Sequence, residues 1–443
     1  MPSKPGAPRS PASVDACALL LTIAPRIGGV AGEIARLCDG LPIALRLAGG
    51  ALAERTDLTP DSYLRRLAGE KERLGLIDGS LKLSVQLLLE ELKDLWCKLA
   101  VFPASFDAAA AAAVWGLQLD PALDSLGTLM KSSLVDGEDG RYRLHDLARL
   151  FADSQLAEAG RKESWARHAE HYFQVVAAAG DLYKKGGDAL LAGLRLFDSE
   201  WANIQVGQRW AAAQAGQERR AAELARDFPA RGAYILDLRQ SPRELISWLQ
   251  AALEASRRLE DRRAEGAALG NMGLVYADLG EPRRAIELYE QSLPIAREIG
   301  DRRGEGNSLG SMGMAYADLG ESRRAIEFHE QYLAIAREIG DRRGEGNALG
   351  SMGVAYAVLG EPRRAIEVHE QHLAIAREIG DRRGEAYASW NLGLELEKQG
   401  ELARAVQLMQ VCVDYERGLG HPKAEAGAAY VQAIRARLGA GEA

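Results

Sequence analysis

The sequence predicts a predominantly all-α chain: an α–α superhelix in the C-terminal half, preceded by a winged-helix domain with one small β-hairpin and by the remnant of a small helical domain. Three observations predict it. Four blocks of 40 residues align without gaps from Asp261, Asp301, Asp341 and Asp381. Ala, Leu, Glu and Arg dominate while aromatics are held to 6%, a composition that favours helix. Short helical patterns between Leu81 and Met130 run into Asp136-Gly137-Glu138-Asp139-Gly140, a run that reads as a tight hairpin.

The blocks come first because internal repetition decides architecture. Those starting at Asp301 and Asp341 differ at only six positions: 308/348, 314/354, 318/358, 322/362, 328/368 and 332/372. Recent duplication leaves that trace. In the third block an amphipathic helix runs from about Arg342 to Leu359, Gly360 ends it as a left-handed cap, and Pro362 opens a second helix that ends at Gly380. Each helix has about four turns and is marginal alone in water, so the blocks must stack to bury their apolar faces. Gly273, Gly313, Gly353 and Gly393 recur at one position of the first helix, and Ala285, Ala325, Ala365 and Ala405 at one position of the second. A mid-helix glycine costs about 1 kcal/mol relative to alanine. Its fourfold repetition implies that a side chain there would strike the partner helix.

These glycines and alanines, with Tyr276, Tyr316 and Tyr356 one turn after the glycine, resemble the tetratricopeptide repeat over Asp261–Gly420. The period is similar to that family's longer variants, such as those of kinesin light chains. The fourth block departs from it, with Leu396 in place of the tyrosine and Met409 in place of Tyr289, as a transition to a cap. The resemblance implies a groove lined by first helices. There Asn271, Asn307, Asn347, Asn391, Trp390, Met314 and Val354 are the candidate contacts for a protein or peptide ligand. The lysine-rich carboxylate clamp of some tetratricopeptide domains is not in the sequence. Asparagines offer a donor and an acceptor each to a peptide backbone instead.

The N-terminal third carries three further motifs: Gly40-Leu41-Pro42-Ile43-Ala44-Leu45, the run Leu99–Asp107 (LAVFPASFD), and Leu144-His145-Asp146. Together they resemble the GLPL, winged-helix and MHD segments of the NB-ARC (STAND) signalling ATPases. That resemblance implies that Pro42 packs near adenine and that His145 approaches the β-phosphate of ADP. A phosphate loop needs GxxxxGK[ST], and only Lys131 is followed by Ser or Thr, with Met130 before it. No apolar strand ending in acidic residues supplies a Walker B motif. The expectation is a chain corresponding to the C-terminal portion of such a protein, from a truncated reading frame or a split gene. It has no catalytic residues, no ATPase activity and no cofactor, ADP or ATP entering only if a separate core is supplied. Pro42 and His145 then remain as vestigial nucleotide contacts.

The expected domains are a disordered N-terminus (1–14), the small helical domain (15–75), the winged helix (76–158), a helical spacer with degenerate repeats (159–260), the four repeats (261–420), and a capping helix with a tail (421–443). A net charge of −8 gives no electrostatic reason for nucleic acid or an anionic membrane as partner. The candidate recognition helix Pro121–Met130 has only Lys131 beside it as a cation, and the hairpin tip carries Asp136, Glu138 and Asp139, which disfavours phosphate contacts. The arginine pairs from Arg262-Arg263 to Arg382-Arg383 are outnumbered within their blocks: seven acidic residues to five basic in three blocks, six to five in the third. They read as a balanced, solvated face.

His369 with His372, and His168 with His171, lie one turn apart but lack the further ligands zinc needs, so no metal site is expected. Cys17, Cys38, Cys97 and Cys412 are scattered, as isolated thiols in a reducing compartment. The expected location is the cytoplasm. The reading is a non-enzymatic interaction module, the sensor arm of a STAND-type signalling protein, with an intramolecular or split-chain ATPase core as a further partner. Two alternatives stand beside it: an ADP/ATP-dependent switch and a winged-helix transcriptional regulator.

Overall fold

A computed structural model describes residues 11–38, 41–74 and 76–441. The chain divides into two compact units, Met1–Ile235 and Leu236–Ala443. Among the described residues no helix is long and apolar enough to cross a membrane.

The first unit opens with α1 (Pro11–Ile23), a 3-10 turn at Pro25–Val30, α2 (Ala31–Leu37), α3 (Pro42–Glu54), α4 (Pro60–Leu74) and α5 (Leu76–Gln86). Leu20, Ile34, Leu45, Leu52, Tyr63 and Leu67 form their shared core. Helix α1 takes in residues 11–14, which the sequence places in a disordered terminus. Residues 1–10 of that segment, and Gly40 of the GLPIAL run, lie outside the described residues.

Next come α6 (Glu90–Lys98), β1 (Phe106–Asp107), α7 (Ala108–Trp115), α8 (Leu119–Lys131), β2 (Asp136–Glu138), β3 (Arg141–Arg143) and α9 (Asp146–Gln155). The hairpin is present, and three residues of the five-residue run form its first strand. Asp136–Glu138 pairs with Arg141–Arg143, leaving only Asp139 and Gly140 as the turn. Both have positive φ, 49° and 75°, as a two-residue hairpin with matching twist requires. Leu134 and Val135 are buried ahead of it. The sequence did not announce β1, which pairs with β3. Two long helices follow, α10 (Glu158–Lys185) and α11 (Gly187–Gln214), and then α12 (Arg219–Arg239), in which the division between units falls.

The second unit is a run of helix pairs: α13 (Pro242–Arg258), α14 (Arg262–Asp278), α15 (Pro282–Glu298), α16 (Arg302–Asp318), α17 (Ser322–Glu338), α18 (Arg342–Val358), α19 (Pro362–Glu378), α20 (Arg382–Lys398), α21 (Leu402–Gly418) and α22 (Ala424–Gly441). Local chemistry sets every boundary. Asp261, Asp301, Asp341 and Asp381 cap the first helices, each accepting a hydrogen bond from the backbone three residues on. Gly280, Gly320, Gly360 and Gly400 turn the chain with φ between 72° and 82°. After the first of these, the Glu281 N–H donates to the Tyr276 carbonyl at 2.9 Å, the long bond of a Schellman motif.

The recurring glycines sit where two helices meet. A Cβ on Gly273 would lie 2.4 Å from the Tyr289 ring, and one on Gly313 2.6 Å from the His329 ring. Each repeated tyrosine has a further partner. Arg284, Arg324 and Arg364 lie over Tyr276, Tyr316 and Tyr356, with the guanidinium 5.1–5.6 Å from the ring centre.

Candidate partner-binding groove

Helix geometry brings four positions of each first helix onto one face. In α16 they are Arg303, Asn307, Ser311 and Met314. First helices of successive repeats touch one another: α14 with α16, α16 with α18, α18 with α20. The face therefore continues across the repeats. Asn271, Asn307 and Asn347 are exposed on it, as are Leu274, Met314 and Val354 at 49%, 61% and 48%. Buried cores flank the same helices, so these apolar residues are not spare core.

Between α14, α15 and α16 this face holds a cavity of about 390 Å³. Arg263, Asn271 and Leu274 line it from α14, Tyr289 and Ser292 from α15, and Arg303, Asn307 and Ser308 from α16. The Ser292 and Ser308 hydroxyls meet at 2.9 Å on its floor. Its existence rests on Ser292. In the next repeat Tyr332 takes this position and lies flat on two glycines, 3.2 Å from where a Cβ of Gly306 would be and 2.9 Å from that of Gly310. In the third repeat His372 covers Gly346 and Gly350 in the same way. Ser292 only reaches 4.0 Å from a Cβ on Gly270, and the space above it stays open.

The structure brings Asn271 and Asn307 together in this cavity, while Asn347 holds the Asn307 position in the following repeat. Trp390, half-buried, has a different neighbourhood. Its ring packs against Tyr430 of α22, with centroids 5.9 Å apart, and it joins the core formed with Val413 and Val431. The capping helix claims it, and nothing in the sequence of α20 marks that. Asn391 beside it is half-buried.

The arginine pairs also divide, a distinction that block-wise charge counting misses. In the first three pairs the leading arginine is structural. Arg302 bonds Glu305 and Glu338 while Arg297 of the previous helix holds the other oxygen of Glu305 at 2.8 Å. Arg262 and Arg342 repeat the pattern with Glu265 and Glu298, and with Glu345 and Glu378. Those hydrogen bonds raise the Arg262, Arg302 and Arg342 pKa values, while that of Glu265 falls through Arg257 and Arg262 despite its burial. The second of each pair is exposed.

Pro42 and His145 have structural tasks. Pro42 starts α3. His145 caps α9, its Nδ1 accepting from the Leu147 N–H at 3.3 Å. The two elements adjoin: Arg46 and Leu47 of α3 share a small space with His145 and Ala148, and Arg46 pairs with Asp136 of β2 at 3.2 Å. Between them lies about 10 Å³, lined by Arg46, Leu47, Asp136 and His145. That holds one water at most.

The histidine pairs fall in cores. His168 is fully buried among Phe102, Trp165 and Tyr172. His369 is 1% exposed. Burial pushes His168 down to about 3 and His329 and His369 down to about 4. Among the described residues no group of three metal-ligating side chains converges.

The chain has relatives among known proteins. Family models of the tetratricopeptide repeat match residues 233–298, 268–338 and 348–383. A protein named as an HTH-type transcriptional regulator in Mycobacterium tuberculosis is 34% identical over 172 residues, which is 35% of this chain and 20% of that one. The regulatory protein AfsR of Streptomyces griseus is 35% identical over 129 residues, 27% of this chain and 13% of that one. The chain thus spans about a fifth or less of the length of these relatives. Among solved structures, a signal transduction ATPase with numerous domains and a tetratricopeptide repeat sensor, from Pyrococcus horikoshii, aligns over 89% of this chain and 69% of its own at 17% identity and a TM-score of 0.36. A kinesin-light-chain-like protein of Podospora anserina with nearly identical repeats aligns over 52% and 97% at 19% identity and a TM-score of 0.34.

Proposed function

We propose that this chain, which carries tetratricopeptide repeats between residues 233 and 383, is a non-enzymatic binding arm whose first-helix face captures a partner polypeptide. One observation carries the reading. Leu274, Met314 and Val354 stay exposed on successive, touching helices that have well-filled cores behind them, with the exposed amides of Asn271, Asn307 and Asn347 on the same face. Apolar residues flanked by amides suit a segment held by side chain and backbone together.

The wider setting proposed is the sensor arm of a STAND-type signalling protein. The motifs around Pro42 and His145, lying on adjoining elements, support it, as does the regulatory naming of the relatives. Any nucleotide chemistry belongs to an ATPase core that would have to be supplied from elsewhere.

The test is partner recovery by the full chain and by the double variant Asn307→Ala with Asn347→Ala. Both residues are exposed, so the fold should survive. Loss of a recovered partner from the variant supports the groove. Identical recovery by both proteins removes it.

A further inference from the structure

We propose that the cavity between α14, α15 and α16 is an anchor site for an acidic side chain of an extended partner segment. This rests on the groove reading above and adds the chemistry of the occupant.

The charge pattern carries the proposal. Arg262, Arg302 and Arg342 are each held by two carboxylates. The next residue in each block is held differently. Among the described residues Arg263, Arg303 and Arg383 have no ion pair, and Arg343 reaches Asp381 only at 3.7 Å. Arg263 and Arg303 both line the cavity, and Asp301 is the one carboxylate that lines it with them. Asp301 is already engaged: its Oδ1 accepts from the Gly304 N–H at 3.0 Å. Two exposed guanidinium groups and two asparagine amides thus face one small space. A guanidinium meets a carboxylate with two parallel hydrogen bonds.

Size and spacing narrow the occupant. A cavity of about 390 Å³ lies at the small end of ligand sites and admits a side chain with the backbone beside it, not a folded element. Neighbouring packed helices stand about 8–10 Å apart and an extended chain advances about 3.3 Å per residue. A segment crossing the first helices would therefore present acidic residues about three apart to Arg263, Arg303 and Arg343. The anchor itself belongs to one repeat, because Tyr332 and His372 fill the equivalent space in the next two.

Those same residues supply the test. Ser292→Tyr puts into the first repeat what the second already accommodates as Tyr332, filling the cavity without a foreign shape. Random displayed peptides are selected on the full chain, and the recovered peptides are titrated against S292Y, R303Q and the Asn307→Ala, Asn347→Ala double variant. The expected peptides are rich in Asp and Glu at about three-residue spacing, and they weaken roughly tenfold or more with S292Y and R303Q.

Peptides without acidic enrichment, or ones that bind S292Y as well as the parent, would overturn the anchor. If those peptides still weaken with the asparagine double variant, the groove reading survives. If no peptide is recovered, both fall. A parallel titration with single-stranded oligothymidylate checks the other polyanion. Binding that R303Q abolishes and acidic peptides cannot displace would assign the arginines to nucleic acid and overturn the proposal.

Discussion

Gly353 and His369 meet with no room for a methyl group: a Cβ on Gly353 would stand 2.3 Å from the imidazole Cε1. His369 is buried on α19 and cannot swing away. Gly353→Ala should therefore destabilise by about 1–3 kcal/mol through overpacking, although alanine is the better helix former by about 1 kcal/mol. Gly304→Ala is the control, because the first repeat carries Ala264 at that position under the same aspartate cap. It should be neutral or gain up to about 1 kcal/mol. Urea unfolding of both variants checks the contrast.

Acid should loosen the protein through its buried imidazoles. Burial lowers His329 and His369 from 6.5 to about 4, and His168 to about 3. Each binds its proton less readily folded than unfolded. Stability is therefore full above pH 6.5 and is lost as pH falls towards 4, by at most about 3 kcal/mol for each of His329 and His369. Tyr289 holds the same position in the first repeat, so His329→Tyr with His369→Tyr should flatten the fall in thermal midpoint between pH 6.5 and 4. An unchanged pH profile would mean that these rings do not drive it.

The joints that lead into the first three repeats are each clamped by a nearly buried glutamate between two arginines, as Glu305 lies between Arg297 and Arg302. Glu305→Gln should lower the melting temperature by roughly 2–4 °C and by less at high salt, since the arginines are half-exposed and screened. Equal losses at low and high salt would count against an ionic clamp.

In the first unit, Glu200 is 5% exposed and bonds Arg141 of the hairpin and Asn203. Glu200→Ala strands a partly buried guanidinium, at a cost of about 2–3 kcal/mol. Hydrogen exchange should show the loss first at Arg141–Arg143. Unchanged protection there would rule the contact out as a brace for the sheet.

Duplication made most of the second unit legible in the sequence. The caps, the turns and the glycine contacts recur four times, so chance resemblance cannot imitate them. What stayed hidden depends on neighbours distant along the chain. A two-residue strand such as β1 has no periodicity to detect. Trp390 matched a groove position, and only the structure shows Tyr430 of α22 packed against it. Net charge could not tell Arg302 from Arg303, because pairing depends on which way each points. The cavity was written in Ser292 against Tyr332 and His372, yet a size difference between repeats acquires meaning only when two glycines are seen beneath it. In the N-terminal third the motif around His145 was visible, but its capping hydrogen bond and the tight space beside Arg46 were not.

Site-specific photocrosslinking tests the central claim most directly. A photoreactive residue is placed at Met314 or Val354 on the first helices, and at Glu327 or Glu367 on the exposed faces of α17 and α19. The partner polypeptide is expected to crosslink from positions 314 and 354 and not from 327 and 367. Crosslinks confined to 327 and 367 would contradict a first-helix groove and move the binding surface to the opposite helices.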